Sequence, residues 1–181
     1  MENFWSGQKI RLRAIKETDL EDYYLKTENG DTEATRSSDR MIFPAGIEAR
    51  RARVAKWGNL NPYEDQYHLI IEKLDGTPVG NINTHSCNQV DGVFKYGLGI
   101  LMQFRGNGYA SEAINILCKY FFEELDYKKV EVEIYEFNQS SIVLHKNLGF
   151  TREGVLRSNH YAKGRRWDTY CFGLLREELK Q

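Results

Sequence analysis

Two short segments hold the residues whose types and spacing can do chemistry. The first is Met102-Gln103-Phe104-Arg105-Gly106-Asn107-Gly108-Tyr109-Ala110. It follows an apolar run, Phe94 to Leu101, and opens a helix-patterned run in which Ala110, Ala113, Ile114, Leu117, Phe121 and Leu125 share one face. A helix start leaves backbone N–H groups without acceptors and carries partial positive charge, so a strand–turn–helix junction suits a phosphate. Gly106 and Gly108 permit unusual backbone angles and close approach to an anion. Arg105 adds a cation with a forked set of donors. An isolated Gly-x-Gly before a helix also marks plain tight turns.

The second segment is Asn138-Gln139-Ser140-Ser141-Ile142-Val143-Leu144-His145-Lys146-Asn147-Leu148-Gly149-Phe150. It follows Lys129 to Phe137, where Val130, Val132 and Ile134 alternate with Lys129, Glu131, Glu133 and Tyr135 as in a strand. Asn138 can cap a short helix, and Gly149 can end it in the left-handed conformation. Asn138, Ser141 and His145 stand at i, i+3 and i+7, one stripe of that helix.

Taken together, Arg-Gly-x-Gly-x-Ala after one strand and Asn-x-x-Ser-Ile-x-Leu-His-Lys-x-Leu-Gly-Phe after the next resemble the GNAT superfamily of acyl-CoA-dependent N-acetyltransferases. The resemblance runs from about Ile10 to the C-terminus. It is strongest from Phe94 to Phe150, and is closest to the group with ribosomal-protein N-terminal acetyltransferases and bacterial polyamine acetyltransferases. It implies a single N-acetyltransferase domain over residues 1–181. The implied fold is α/β, with a mixed, mostly antiparallel sheet of six to seven strands, splayed at the CoA site and flanked by about four helices. Gly97 and Gly99 lie on the strand that would splay; glycines within a strand mark a bulge or a close approach. By the same resemblance the pantetheine arm of CoA pairs with that strand. The expected acetyl-CoA contacts are Ile100, Leu101, Met102, Arg105, Gly106, Asn107, Gly108, Tyr109, Ala110, Asn138 and Ser141.

The implied reaction moves an acetyl group from the acetyl-CoA thioester to a primary amine by direct attack in a ternary complex. The amine must lose a proton, the oxyanion needs a donor, and the thiolate takes up a proton. The resemblance puts the oxyanion donor at a backbone N–H near Ile100 or Leu101, and an acid at Ser141 or His145. Its usual base, a carboxylate on the splayed strand, has no counterpart: Phe94 to Leu101 holds Lys95 and no Asp or Glu. Glu133, His85, His160, Asp168 or a water chain stay open as substitutes. Ser141 can equally bond its own helix start, and His145 can be a packed, satisfied histidine. Tyr23, Tyr24, the loop Ser37 to Pro44, Trp57, His160, Tyr161 and Trp167 lie where the family admits its acceptor. Aromatic faces there can enclose an amine or form core. Glu21, Asp22, Glu28, Asp31 and Glu33 can form an acidic wall, mixed with Lys26 and Arg36. The acceptor is a small-molecule or peptide amine, its identity open. The competing readings are a non-catalytic acyl-CoA-binding module and, lacking the P-loop lysine and the dinucleotide glycine spacing, a nucleotide site.

Composition sets the bounds. The chain has 181 residues, 41% hydrophobic and 28% charged, with net charge −1, as in a globular domain with no general bias towards nucleic acid or acidic membrane. Basic clusters at Arg50-Arg51-Ala52-Arg53 and Lys163-Gly164-Arg165-Arg166 read as solvated surface or a hairpin turn. Three scattered cysteines (Cys87, Cys118, Cys171) form no disulfide framework, and Cys118 reads as core. No metal site is expected, and a cytoplasmic location is. Homodimerisation fits the family, with Trp5 or Tyr63 at an interface.

The elements that must hold these segments follow from periodicity and turn residues. Strands are expected at Lys9–Ile15, Tyr67–Lys73, Val79–Cys87, Phe94–Leu101, Lys129–Phe137, Val155–Tyr161 and Arg166–Leu174. Helices are expected over Asp19–Lys26, capped by Thr18, and over Ile47–Trp57, with Glu28–Pro44 mostly loop. Turns are marked by Asp75-Gly76-Thr77, Asp91-Gly92 and Lys163-Gly164.

Overall fold

The computed structural model describes residues 3–26, 31–37, 45–60 and 64–180. Seven strands form one mixed sheet: β1 (Ile10–Ala14), β2 (His68–Lys73), β3 (Pro78–Asn88), β4 (Val93–Ile100), β5 (Lys129–Tyr135), β6 (Thr151–Ala162) and β7 (Arg165–Leu175). Their order is β1-β2-β3-β4-β5-β7-β6. Among the described residues there are four α-helices: α1 (Thr32–Arg36), α2 (Ile47–Gly58), α3 (Tyr109–Glu123) and α4 (Gln139–Asn147). A π-helical segment, Leu20–Tyr24, lies within the helix expected over Asp19–Lys26. The α/β class, the strand count and the mixed sheet agree with the sequence. α1 does not, since that stretch reads as loop; residues 27–30 and 38–44 lie outside those described. No helix among the described residues is long and apolar enough to cross a membrane.

The chain groups into two compact units, residues 1–85 with 97–117, and residues 86–96 with 118–181. β4 and α3 each begin in one unit and end in the other.

In the first unit β1, β2 and β3 pair antiparallel, with Leu12 opposite Ile71 and Ile70 opposite Asn81. Leu20, Tyr23, Tyr24, Val54, Ile70 and Leu101 form a buried cluster, with Ile15, Leu25, Trp57 and Phe104 packed around it. Thr18 does not cap through its side chain. Its carbonyl accepts from Glu21 and Asp22, and the neighbouring Asp19 carboxylate accepts Lys16 N–H at 2.7 Å. Asp19 is 1% exposed and Glu72 2%, and burial of that kind requires partners. Arg13 supplies them, with two bonds of 2.8 Å to Asp19 and one of 2.5 Å to Glu72, whose other oxygen takes Arg11. Burial pushes the Glu72 carboxyl up, but the bonds and charges of Arg13 and Arg11 outweigh it and hold it below the ordinary glutamate range.

In the second unit β5 pairs parallel with the start of β4, Phe94 opposite Val130, and antiparallel with β7 along its whole length. β6 and β7 close a long hairpin through Lys163 (φ +54°) and Gly164 (φ +75°), the paired left-handed angles that match strand twist. Phe94 stacks on Phe121 at 4.1 Å, and both meet Tyr127 edge-on or tilted. Cys118 is fully buried, as its place beside the apolar stripe implies, and burial raises its thiol pKa.

Asp19→Asn leaves Arg13 facing a neutral partner in the interior. The expected outcome is a loss of about 3 kcal/mol in urea unfolding. An unchanged midpoint would show that Glu72 alone holds the arginine.

Candidate functional site

The phosphate-loop segment lies in the first unit. β4 ends at Ile100, and Met102–Phe104 make a single 3-10 turn before the glycines. Gly106 (φ +79°) and Gly108 (φ +83°) both adopt the left-handed conformation, which explains the residue type at each. A Cβ on Gly106 would meet nothing within 4 Å, so its backbone faces open space. The Glu112 N–H donates to the Gly108 carbonyl at 3.1 Å. The N–H groups of Tyr109, Ala110 and Ser111 therefore precede the first helical donor and have no acceptor within the helix. This is a backbone cradle for an anion.

Two expected contacts are otherwise engaged. The Leu101 N–H donates to the Val79 carbonyl at 2.9 Å, and Leu101 is buried in the core cluster, so it is no oxyanion donor. Arg105 forms an ion pair with buried Asp31, just ahead of α1, and its Nε donates to the Ile100 carbonyl at 3.1 Å. Its charge is thereby neutralised within the protein.

Gly97 and Gly99 answer to close approach. A Cβ on Gly97 would lie 2.9 Å from Asn83 Oδ1, and one on Gly99 3.2 Å from Asn81 Oδ1. Asn81 accepts the Tyr23 hydroxyl at 2.6 Å and reaches His68 Nε2 with Nδ2 at 3.1 Å. Tyr24 also reaches His68 Nε2, at 3.2 Å, and Trp57 lies 4.7 Å from its ring centroid. Tyr23, Tyr24 and Trp57, expected on the acceptor side, thus belong to or pack on a core. The sequence reading missed His68 and Asn81, because nothing local marks them as partners. Of the acidic residues, Asp31 is held by Arg105 and Glu33 pairs with Arg36 at 2.7 Å.

α4 lies in the second unit, with Tyr96 of β4. Asn138 caps it as expected, Oδ1 accepting Ser141 N–H at 3.2 Å and the Ser140 hydroxyl at 3.0 Å. Gly149, at φ +99°, ends it. His145 Nδ1 lies 2.7 Å from the Ser141 carbonyl, which can only accept, so Nδ1 carries the proton. Nε2 is then an acceptor, and Tyr96 donates its hydroxyl proton to it at 2.8 Å. Burial lowers the His145 pKa, against a smaller opposing effect of the Ser141 carbonyl. A neutral, buried ring with both nitrogens engaged fits the packed, satisfied histidine that the sequence also allows. The Ser141 Oγ lies 3.3 Å from the protonated Nδ1 and faces it as an acceptor, which leaves its own O–H free to donate elsewhere.

Of the substitutes for a base, Glu133, His160 and Asp168 each have a neighbour in contact. Lys95 binds Glu133 at 2.8 Å, His160 stacks on Tyr135 at 3.6 Å, and Asp168 accepts Ser158 N–H at 2.9 Å. Trp167 stacks under Arg165 and Tyr161 is exposed. Tyr63 and residues 38–44 lie outside the described residues.

A family model described as acetyltransferase (GNAT) domain matches residues 9–151. The SPbeta prophage-derived uncharacterized N-acetyltransferase YokL of Bacillus subtilis (strain 168) is 36% identical over 177 residues, covering 98% of this chain and 96% of that one. A solved RimL ribosomal L7/L12 alpha-N-protein acetyltransferase in complex with coenzyme A superposes with a TM-score of 0.83 at 17% identity, covering 93% and 95% of the two chains. The spermidine N-acetyltransferase of Vibrio cholerae, in complex with CoA and spermine, gives 0.80 at 18% identity, covering 93% and 96%. These two likenesses are of fold.

Burial lowers the His68 pKa from 6.5 to about 4. A base held neutral in the folded state contributes stability above its unfolded pKa, so stability is lost as pH falls from 6.5 towards 4, and His145 acts in the same direction. Urea midpoints at pH 7.5 and 4.5 should fall less in His68→Gln than in wild type; parallel falls would show that His68 does not set the acid slope.

Proposed function

The chain belongs to the GNAT acetyltransferase family, an acyltransferase class, and from that premise we propose an acetyl-CoA-dependent N-acetyltransferase acting on a primary amine. The observation that carries the proposal is the backbone cradle: two left-handed glycines ahead of a helix whose first N–H groups have no helical acceptor. These residues fit a pyrophosphate. Gly106, Asn107, Gly108, Tyr109 and Ala110 would hold it through the main chain, with Met102 and Ile100 lining the approach. The CoA complexes of the two fold relatives support the same choice. Acetyl-CoA supplies the acetyl group as a thioester.

The chain's own groups then have defined tasks. The Ile100 N–H is the candidate oxyanion donor, since that of Leu101 is engaged. Asn138 would contact the pantetheine through Nδ2, which has no hydrogen bond among the described residues. Ser141 donates its hydroxyl proton towards the departing sulfur. His145 is a positioning residue: its fixed tautomer offers Ser141 only a donor, so the serine proton points away from the ring. Lys95 on β4 pairs with Glu133, and the base for the amine proton stays open among His85, His160, Asp168 and a water chain. The acceptor is a peptide N-terminus or a small amine such as a polyamine, the classes named for the relatives. The whole chain forms one such domain.

Thiol release from acetyl-CoA with a panel of polyamines, amino acids, aminoglycosides and free-N-terminus peptides tests the reading. Turnover with one class names the acceptor. Acetyl-CoA binding with no turnover on any amine would instead support an acyl-CoA-binding module. Ser141→Ala should lower kcat at least about 100-fold. An undiminished kcat would remove the serine from the reaction.

A further inference from the structure

Lys9 stands in a reverse turn ahead of β1, closed by Gly7 N–H donating to the Ile10 carbonyl at 2.8 Å. That turn is docked on the first turn of α3. Glu112 Oε1 accepts the Lys9 backbone N–H at 3.0 Å. A Cβ on Gly7 would fall 2.0 Å from the same oxygen, so the carboxylate can reach under the turn only because residue 7 is glycine. The docking aims the Lys9 side chain at the phosphate loop. Its Nζ donates to the Asn107 carbonyl at 3.2 Å and lies 3.3 Å from where a Cβ on Gly108 would stand.

Two cations therefore adjoin the loop, and they differ in what neutralises them. Arg105 is ion-paired with Asp31, and its Nε is held by the Ile100 carbonyl. The Lys9 ammonium bonds a neutral carbonyl and has no carboxylate partner among the described residues. An ammonium has three donors, so two remain for an incoming oxygen. A compact charge on a flexible stem, beside unpaired helix N–H groups, is how lysine serves phosphate.

We propose that Lys9, held by the Gly7–Glu112 contact, is the cation that binds a phosphate group of the CoA thioester, while Arg105 positions the loop through Asp31. The inference rests on the cofactor reading above and assigns a binding residue outside the glycine motif.

The test is calorimetric titration of acetyl-CoA into wild type, Lys9→Gln, Lys9→Arg and Gly7→Ala, with melting temperatures as a fold control. Lys9→Gln should weaken binding about 10-fold at low salt, with the difference shrinking in 0.5 M salt (approximate conditions). Lys9→Arg should keep most of the affinity. Gly7→Ala, which retains the lysine but displaces Glu112, should lose affinity too. Repeating the pair with dephospho-acetyl-CoA names the group: a Lys9→Gln loss that persists points to the pyrophosphate, and one that vanishes to the 3′-phosphate. Wild-type affinity in Lys9→Gln overturns the inference and leaves the cofactor reading intact. A wild type that binds no acetyl-CoA at millimolar concentration overturns both, before any variant is compared.

Discussion

The close packing of side chains against the backbone of β4 is the constraint on which the rest depends. Asn83 and Asn81 press on it where Gly97 and Gly99 stand, and Gly80 brings β3 so near that a Cβ there would lie 2.4 Å from the Gly99 carbonyl. The strand's end is fixed twice over, by Leu101 N–H on Val79 and by Arg105 on the Ile100 carbonyl. From that end the chain turns directly into the phosphate loop. The same strand carries Tyr96, four residues ahead of Ile100, which sets the tautomer of His145. Glycine in a strand costs backbone entropy and leaves no side chain to pack. Here Asn83 and the hydrogen-bonded Asn81 occupy the space.

Charge is handled with the same economy. The interior carboxylates Asp19 and Glu72 meet Arg13 in a forked geometry, and half-exposed Arg105 meets buried Asp31. On the adjacent strands β4 and β5, Lys95 meets Glu133. Each pair removes an ionic group from chemistry that the residue type alone would allow. The ammonium of Lys9 differs, since it bonds a neutral carbonyl of the loop.

Neutral histidine is a second theme. His68 and His145 are held by different elements but by the same physics. Burial disfavours the imidazolium, and a tyrosine hydroxyl meets Nε2 in each. A histidine in a motif invites an acid–base role, yet the environment decides whether it has a proton to give. For His145 the carbonyl one turn earlier and Tyr96 engage both ring nitrogens.

The sequence by itself determined the elements and the local motif. Period-2 runs located the strands, Asn138 and Gly149 bounded a helix, Lys163-Gly164 set a hairpin, and the two glycines of the loop announced their left-handed angles. All of these depend on residues within a few positions of one another, where chain geometry leaves few choices. α1 escaped because its five residues, four polar and one alanine, carry no apolar stripe for periodicity to detect. The partners of the site residues were decided only by tertiary structure. Lys9 meets Asn107 across 98 positions, Arg105 meets Asp31 across 74, Tyr96 meets His145 across 49 and Tyr24 meets His68 across 44. Residue type shows that a group can donate, accept or carry charge. Which of these it does depends on the atom that strand register and packing set opposite it, and no local pattern encodes that choice.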